Sequence, residues 1–216
     1  MKTLLVIPNY NHSSSCTILI DKLQQYNILI VDDGSRIPFI TNKASSSKIV
    51  IIRNSKNMGK GYSIKKAAKY AISNYYSHIL TIDADLQHDP IYVEKFMNTS
   101  TQYDLIYGKR NFKINMPFLR KLSNFITSKI ISFFCKLPIY DTQCGYRLYN
   151  LELFNNLDSR EDGYQFETEI LLKKINKYSH IEYVEISTIY NDSKSHINNI
   201  LDTIKFVILI IKNIFK

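Results

Sequence analysis

At 216 residues, with 45% hydrophobic and 22% charged, the chain is the size of one domain and has enough apolar content for a full core beneath an ordinary soluble surface. Its net charge of +9 points to anionic partners, such as nucleotides, phospholipids or nucleic acid, without choosing among them. The three cysteines, Cys16, Cys135 and Cys144, are far apart and include no C-x-x-C pair, which argues against a zinc site and for reduced thiols in the cytoplasm. No signal peptide is expected, and no segment reaches the ~18 apolar residues of a membrane span.

Short apolar runs alternate with helical periods from the start of the chain. Thr3 to Ile7 reads as a buried strand, followed by the loop Pro8-Asn9-Tyr10-Asn11. Cys16 to Gln25 reads as a helix with Ile18, Leu19 and Leu23 inward. Ile28 to Val31 is a second strand, ending in Asp32-Asp33-Gly34-Ser35. Ile49 to Ile52 is a third, followed by Asn57-Met58-Gly59-Lys60-Gly61. Gly61 to Tyr75 has a helical period with Ile64, Ala67, Ala68, Ala71 and Ile72 on one face. Ile79 to Ile82 is a fourth strand, and Asp83-Ala84-Asp85-Leu86-Gln87-His88 follows at once. Pro90 suits the first turn of a helix reaching Asn98.

Asp104 to Tyr107 is a strand ending in Gly108-Lys109-Arg110. Phe118 to Leu137 reads as a long helix with the apolar stripe Phe118, Leu122, Phe125, Ile126, Ile130, Phe133, Phe134 and Leu137. From Leu105 to Tyr140 there are seven Lys or Arg and no acid. Asp141 to Arg147 reads as a structured loop, after which Leu148-Tyr149 re-enters the core. A helix runs through Phe166, Ile170, Leu171, Leu172 and Ile175, and Ile181 to Ile189 is a last strand. His196 to Lys216 is helical by period, with a six-residue apolar run, Phe206 to Ile211. It is expected to lie on a membrane or a partner.

This alternation argues an α/β fold, mostly parallel, with helices on both faces of the sheet. Each polar cluster follows a strand, so the clusters gather along the carboxyl edge, where such sheets bind ligands. Residues i and i+2 of an extended chain point the same way, so Asp83 and Asp85 can converge with the Gln87 amide. Hard oxygen ligands of this kind suit Mg²⁺ or Mn²⁺. After the second strand, one carboxylate of Asp32 and Asp33 can accept hydrogen bonds from a base or ribose, or both acids can simply form a tight turn. Tyr10 can stack on a base or be an ordinary half-buried ring. Asn57 to Gly61 offers flexible backbone and the Lys60 cation for a phosphate. Its spacing matches neither the nucleoside-triphosphate loop nor the dinucleotide fingerprint, which removes support from kinase, ATPase and dehydrogenase readings. His12, His78, His88, His180 and His196 show no metal spacing and read as surface or satisfied side chains.

Taken together, Val6 to Asn11, Val31 to Ser35, Asn57 to Gly61, Asp83 to His88, Gly108 to Arg110, Asp141 to Arg147, Phe166 to Ile170 and Ser193-Lys194 resemble family 2 glycosyltransferases of the GT-A fold. The branch is that of dolichyl-phosphate mannose and glucose synthases and their polyprenyl-phosphate relatives. The resemblance covers nearly the whole chain and implies one GT-A domain, residues 1–195, followed by an amphipathic helix, 196–216. It implies that Pro8, Tyr10 and Asp33 hold the base and ribose of a nucleotide sugar, with Asn11, Asp32 and Lys60 completing that set. Asp83, Asp85 and Gln87 would hold the metal and the sugar diphosphate. Arg110, Arg120, Arg147 and Lys194 would face a lipid phosphate, and Asp83, Asp85 and Arg110 would carry catalysis. His12 stands where many relatives carry an acid. The long transmembrane tail of some relatives has no counterpart, and a membrane-embedded partner subunit is one replacement for it.

The activity so implied is inverting transfer of a hexose from a UDP- or GDP-sugar to a polyprenyl phosphate, at the cytoplasmic face of a membrane and with no nucleic acid partner. A phosphate monoester, with its second pKa near ~6, is largely dianionic at neutral pH and needs no strong base to attack. One rival is the same fold with a glycan or protein hydroxyl as acceptor, for which Glu167, Glu169 or Asp141 would be the base. The other is a basic binding module, supported by charge alone.

Overall fold

A computed structural model describes residues 2–42, 48–99, 102–111, 118–187 and 206–212, the side chains of 118–120 excepted. Seven strands form one sheet: β1 (Thr3–Asn9), β2 (Ile28–Asp32), β3 (Ile49–Arg53), β4 (His78–Thr81), β5 (Leu105–Arg110), β6 (Arg147–Asn150) and β7 (Ile181–Ile186). Their order is β3-β2-β1-β4-β6-β5-β7. The pairs β1–β2, β2–β3, β1–β4 and β5–β7 are parallel, while β6 runs antiparallel to both β4 and β5. The mostly parallel expectation is met. What the apolar pair Leu148-Tyr149 did not reveal is the reversed strand wedged into the sheet.

Both faces are covered. Alternate residues of β1 and β2 divide between two cores: Leu4, Val6, Leu29 and Val31 on one face, Leu5, Ile7, Ile28 and Ile30 on the other. Burial on both sides explains the unbroken apolar runs of these strands. The first face carries α2 (Lys60–Ser73), α4 (Phe118–Cys135) and α5 (Phe166–Lys174), and the second carries α1 (Ser13–Lys22) and α3 (Val93–Met97). Asp89 caps the short 3-10 turn Pro90–Tyr92 that leads into α3, with Pro90 at its start as expected. Residues 206–212 are helical, and Phe206, Leu209 and Ile210 meet the protein. The rest of the expected terminal helix lies outside the described residues.

Helix α4 packs through its polar side. Its inward positions are Asn124, Ser128, Ile131 and Cys135. Much of its apolar stripe faces out, at Leu122, Phe125, Ile126, Phe133 and Phe134, with Phe133 77% exposed. The reason is hydrogen bonding across the loop that follows. Ser128 Oγ accepts from Thr142 N, Ser132 Oγ accepts from Ile139 N, and Asn124 Nδ2 donates to Asp141. A loop whose backbone polar groups are buried needs such partners, and the polar seam of α4 supplies them. Departures from expectation occur at Ile18, expected inward, and at Ile72, expected on the buried face of its helix; both are exposed.

Candidate active site

The sheet order reverses between β1 and β4, the place where a parallel sheet opens a crevice at its carboxyl edge. Val6 opposite Thr81 is the last β1–β4 pair, and Ile82 N donates to Val6 O just beyond it. Pro8 lies two residues farther along β1, so its missing N–H falls on the side from which β4 has already departed. One wall of the crevice is the Pro8 to Asn11 turn, with Tyr10 41% exposed at the rim. The opposite wall is Asp83 to His88. The amide of Asn9 is buried between the strand ends with neither Oδ1 nor Nδ2 hydrogen-bonded within the protein.

The two acidic strand ends serve different ends. Asp32 is fully buried, and its carboxylate accepts from Ser35 N at 3.0 Å and Phe39 N at 3.1 Å, and pairs with Arg53. Burial would raise this carboxyl, but those hydrogen bonds and Arg53 hold it below the usual range. Asp33 accepts from Asn54 Nδ2 at 2.7 Å, Met58 N at 2.9 Å and Gly59 N at 2.8 Å. These two acids therefore build the loops around them. The Met58 and Gly59 amides, expected to be available for a phosphate, are already engaged. Asn11 is likewise structural in part, since its Oδ1 accepts from Arg36 N at 2.8 Å.

Asp83 and Asp85 are arranged otherwise. Asp85 Oδ1 accepts from Gln87 N at 3.0 Å, closing a small turn over Leu86, whose φ of 62° is a left-handed value that a leucine adopts only at a cost of order 1 kcal/mol. Asp83 Oδ1 lies 2.6 Å from Lys60 Nζ, and the same ammonium is 3.2 Å from Glu167 Oε1. Burial would raise the Asp83 carboxyl, but Lys60, then His88 and Arg110, hold it below the usual carboxylate range. Lys60 is in turn held above the usual range by Asp83 and Glu167, against its own burial. Glu167 Oε1 has no aligned hydrogen bond, so its contact with Lys60 is an ion pair without good donor geometry.

The Asp141 to Arg147 loop closes over this pair. A side chain at Gly145 would place its Cβ 2.6 Å from Asp83 Oδ2, so only glycine admits so close an approach. Thr81, the last residue of β4, donates its hydroxyl to Gly145 O at 2.8 Å. Arg147 was expected at an acceptor phosphate. Instead it is 1% exposed and donates to the carbonyls of Cys144, Thr142 and Glu167. It anchors the loop from beneath, because a buried guanidinium must spend its donors on whatever acceptors surround it. Arg110 does stand beside the site, paired through both carboxylate oxygens with Asp141 at 2.7 and 2.9 Å. The Arg120 side chain and Lys194 lie outside the described residues.

Two residues that composition and spacing did not single out, His88 and Tyr164, join the site, together with Glu167, weighed from the sequence as a base. His88, expected at the surface, is 5% exposed, with Nδ1 3.9 Å from Asp83 Oδ2 and its ring tilted against Tyr146. Its burial holds it below the usual histidine range, against the pull of Asp83 and Asp85. Glu167 faces Lys60, as described. Tyr164 is half exposed at the rim, with its ring centre 6.0 Å from Lys60 Nζ. The placement of His88 directly after the Asp83 to Gln87 run was the one available signal. Glu169, weighed as an acid or base, is buried and structural: it takes Ser159 Oγ, Arg160 N and Glu161 N, and pairs with Lys173.

Two carboxylates and an amide at one strand end make a donor set of the hard-oxygen kind that Mg²⁺ and Mn²⁺ take. Among the described residues no group of three or more His, Cys, Asp or Glu gathers into a closed metal nest. An ion at Asp83 and Asp85 therefore fits only as a shared site, completed by oxygens from a ligand.

Similarity searches agree with this geometry. An uncharacterised protein of Methanocaldococcus jannaschii is 30% identical over 229 residues, spanning 95% of this chain and 99% of its own. A UDP-N-acetylglucosamine–dolichyl-phosphate N-acetylglucosaminyltransferase of Methanococcus voltae is 28% identical, over 87% of this chain and 86% of its own. Among solved structures, the glucosyl-3-phosphoglycerate synthase of Mycobacterium tuberculosis in complex with Mn²⁺, uridine diphosphate and phosphoglyceric acid superposes with a TM-score of 0.70. It covers 98% of this chain and 78% of that one at 15% identity, a likeness of fold. The sequence profile described as glycosyl transferase family 2 matches residues 4–158, and the chain belongs to that family of glycosyltransferases.

Proposed function

We propose that the protein transfers a sugar from a nucleotide sugar to a polyprenyl phosphate. The observation that carries the choice of acceptor is the state of the three carboxylates that a hydroxyl acceptor would need as base. Asp141 is paired with Arg110, Glu167 with Lys60, and Glu169 with Lys173. A carboxylate so engaged is a poor proton acceptor, whereas a phosphate dianion brings its own nucleophilic oxygen. The Methanococcus relative, named for a dolichyl-phosphate acceptor and a UDP-sugar, supports the same reading.

The base and ribose occupy the crevice beside Pro8 and Tyr10. Asn9, with its unsatisfied amide, lines the floor. The diphosphate lies against Asp83, Asp85 and Gln87, which hold Mg²⁺ or Mn²⁺. When bound, that ion supplies Lewis-acid neutralisation of the departing nucleotide diphosphate. Lys60 adds a positive charge on the same side, and Arg110, fixed by Asp141, draws the acceptor phosphate toward the sugar. Arg120 and Lys194 join Arg110 in that role.

The acceptor's prenyl chain stays in a membrane, and the outward apolar face of α4 is the docking surface. Leu122, Phe125, Ile126 and Phe133 are exposed there, and Lys129 Nζ lies 5.6 Å from the Phe125 ring centre. Apolar side chains beside cations suit an anionic bilayer surface. The 206–212 helix adds Val207, Ile208 and Ile211, also exposed. Among the described residues no helix is long and apolar enough to cross a membrane.

The test is incubation with radiolabelled UDP- and GDP-sugars, Mn²⁺ and a polyprenyl phosphate. Formation of an organic-phase, acid-labile product is expected. Transfer only to a glycan or protein hydroxyl would overturn the reading.

A further inference from the structure

We propose that Lys60 is the resident counter-ion of Asp83, and that it makes divalent-ion binding at Asp83 and Asp85 conditional on the donor's diphosphate. The inference rests on the metal reading given above.

The Lys60 ammonium lies 2.6 Å from Asp83 Oδ1, an oxygen of the carboxylate that would ligate the ion. The pair is half-buried. The Lys60 side chain is 11% exposed and that of Asp83 27%, and the Gly145 backbone closes over Asp83 so tightly that a Cβ would stand 2.6 Å from Oδ2. Ammonium and ion compete for the same carboxylate. A dication that binds there must also bear the repulsion of Lys60 at short range.

Lys60 has somewhere to go. Glu167 Oε1, 6% exposed as a residue and without an aligned hydrogen bond, lies 3.2 Å from Nζ. Alone, Glu167 compensates the ammonium poorly. A diphosphate beside it supplies the missing negative charge, so the nucleotide both ligates the ion and takes over the lysine. The backbone need not move. Asp33 pins the Met58 and Gly59 amides, Tyr62 N donates to Asp162 O, and the swing is confined to the four-carbon stem of Lys60.

The experiment measures Mn²⁺ binding by the loss of its free-ion electron paramagnetic resonance signal, with and without UDP or GDP, and without reference to turnover. The wild type is expected to bind Mn²⁺ weakly alone and at least about tenfold more tightly with the matching nucleotide. The decisive variant is Lys60→Met with Glu167→Gln, which removes the ammonium while keeping the net charge of the cluster. It is expected to bind Mn²⁺ without nucleotide about tenfold more tightly than the wild type, and to gain less from nucleotide. Circular dichroism and a thermal melt establish that it is folded. A folded double variant that binds Mn²⁺ no tighter than the wild type, while nucleotide still tightens wild-type binding, overturns the role of Lys60 and leaves the metal reading standing. Wild-type Mn²⁺ affinity that no nucleotide changes overturns the inference without any variant. Absence of Mn²⁺ binding with either nucleotide overturns the metal reading and this inference together.

Discussion

After β2 the chain reads Asp32-Asp33-Gly34-Ser35, and after β4 it reads Asp83-Ala84-Asp85. Both are paired acids at the carboxyl end of a buried parallel strand, and by local pattern they are equals. Their partners differ in kind. Asp32 and Asp33 are satisfied mainly by backbone amides of the loops they organise and by Arg53, at the end of β3, and Asn54 just after it. Asp83 faces a lysine side chain, and Asp85 makes one short-range turn with Gln87 N. Backbone partners cannot leave, whereas a lysine side chain can be exchanged for a ligand. The first pair holds its loops in place, and in the proposed function the second is the reactive surface.

The sharpest break of this comparison is functional. Asp85→Ala is expected to lower transfer at least about a hundredfold, as loss of a transition-state electrostatic group does. Its single hydrogen bond is worth less than about 1 kcal/mol, so the melting temperature should barely move. A variant equally inactive but unfolded would place Asp85 with the scaffold. Arg147→Met tests the loop's anchor, since it removes donors to three buried carbonyls. We expect a loss of about 3 kcal/mol or more, read by urea unfolding. Asp32→Ala should cost about 2–4 kcal/mol by the same measurement, because it leaves two amides and Arg53 without their acceptor.

Acid titration sharpens the same contrast. Asp32 and Glu169 are held below the usual carboxylate range in the fold, against burial, by their hydrogen bonds and ion pairs. Their stabilisation is therefore complete above the unfolded values near pH ~4 and is lost as pH falls through the lower folded values. Urea midpoints should drop below about pH 4, and Asp32→Asn should flatten that decline. An unchanged acid limb in the variant would remove Asp32 from the stabilising set. The smallest effect on stability is expected from Phe125→Ser with Phe133→Ser, within about 0.5 kcal/mol because both rings are already exposed. The same pair should weaken sedimentation with phosphatidylglycerol vesicles. Undiminished sedimentation would direct that face to a protein partner instead.

Period and punctuation made much of the fold legible. Strands buried on both faces read as continuous apolar runs, and β1 to β5 and β7 begin within a residue of where those runs do. Strand β6 did not announce itself, because four residues carry no period and Arg147 reads as the end of the preceding loop. Helix α4 was legible in extent, but not in the polar side through which it packs. Period locates an apolar stripe, but the partners of Asn124, Ser128 and Ser132 lie in a loop that period cannot see.

The sequence by itself determined the α/β alternation, the family's ordered motifs and the placing of Asp83 and Asp85 after a buried strand. These follow from local chemistry, side-chain branching and proline geometry, although Asp83 and Asp85 stand at a turn and not on the extended chain expected for them. The tertiary structure decided which charges are spent and which remain for a ligand. Arg147 sits 20 residues from the Glu167 carbonyl it binds, and Lys60 stands in another element from Asp83. Whether a carboxylate meets an amide, a lysine or open solvent depends on contacts that only the folded chain brings together, and those contacts set its charge state and its use.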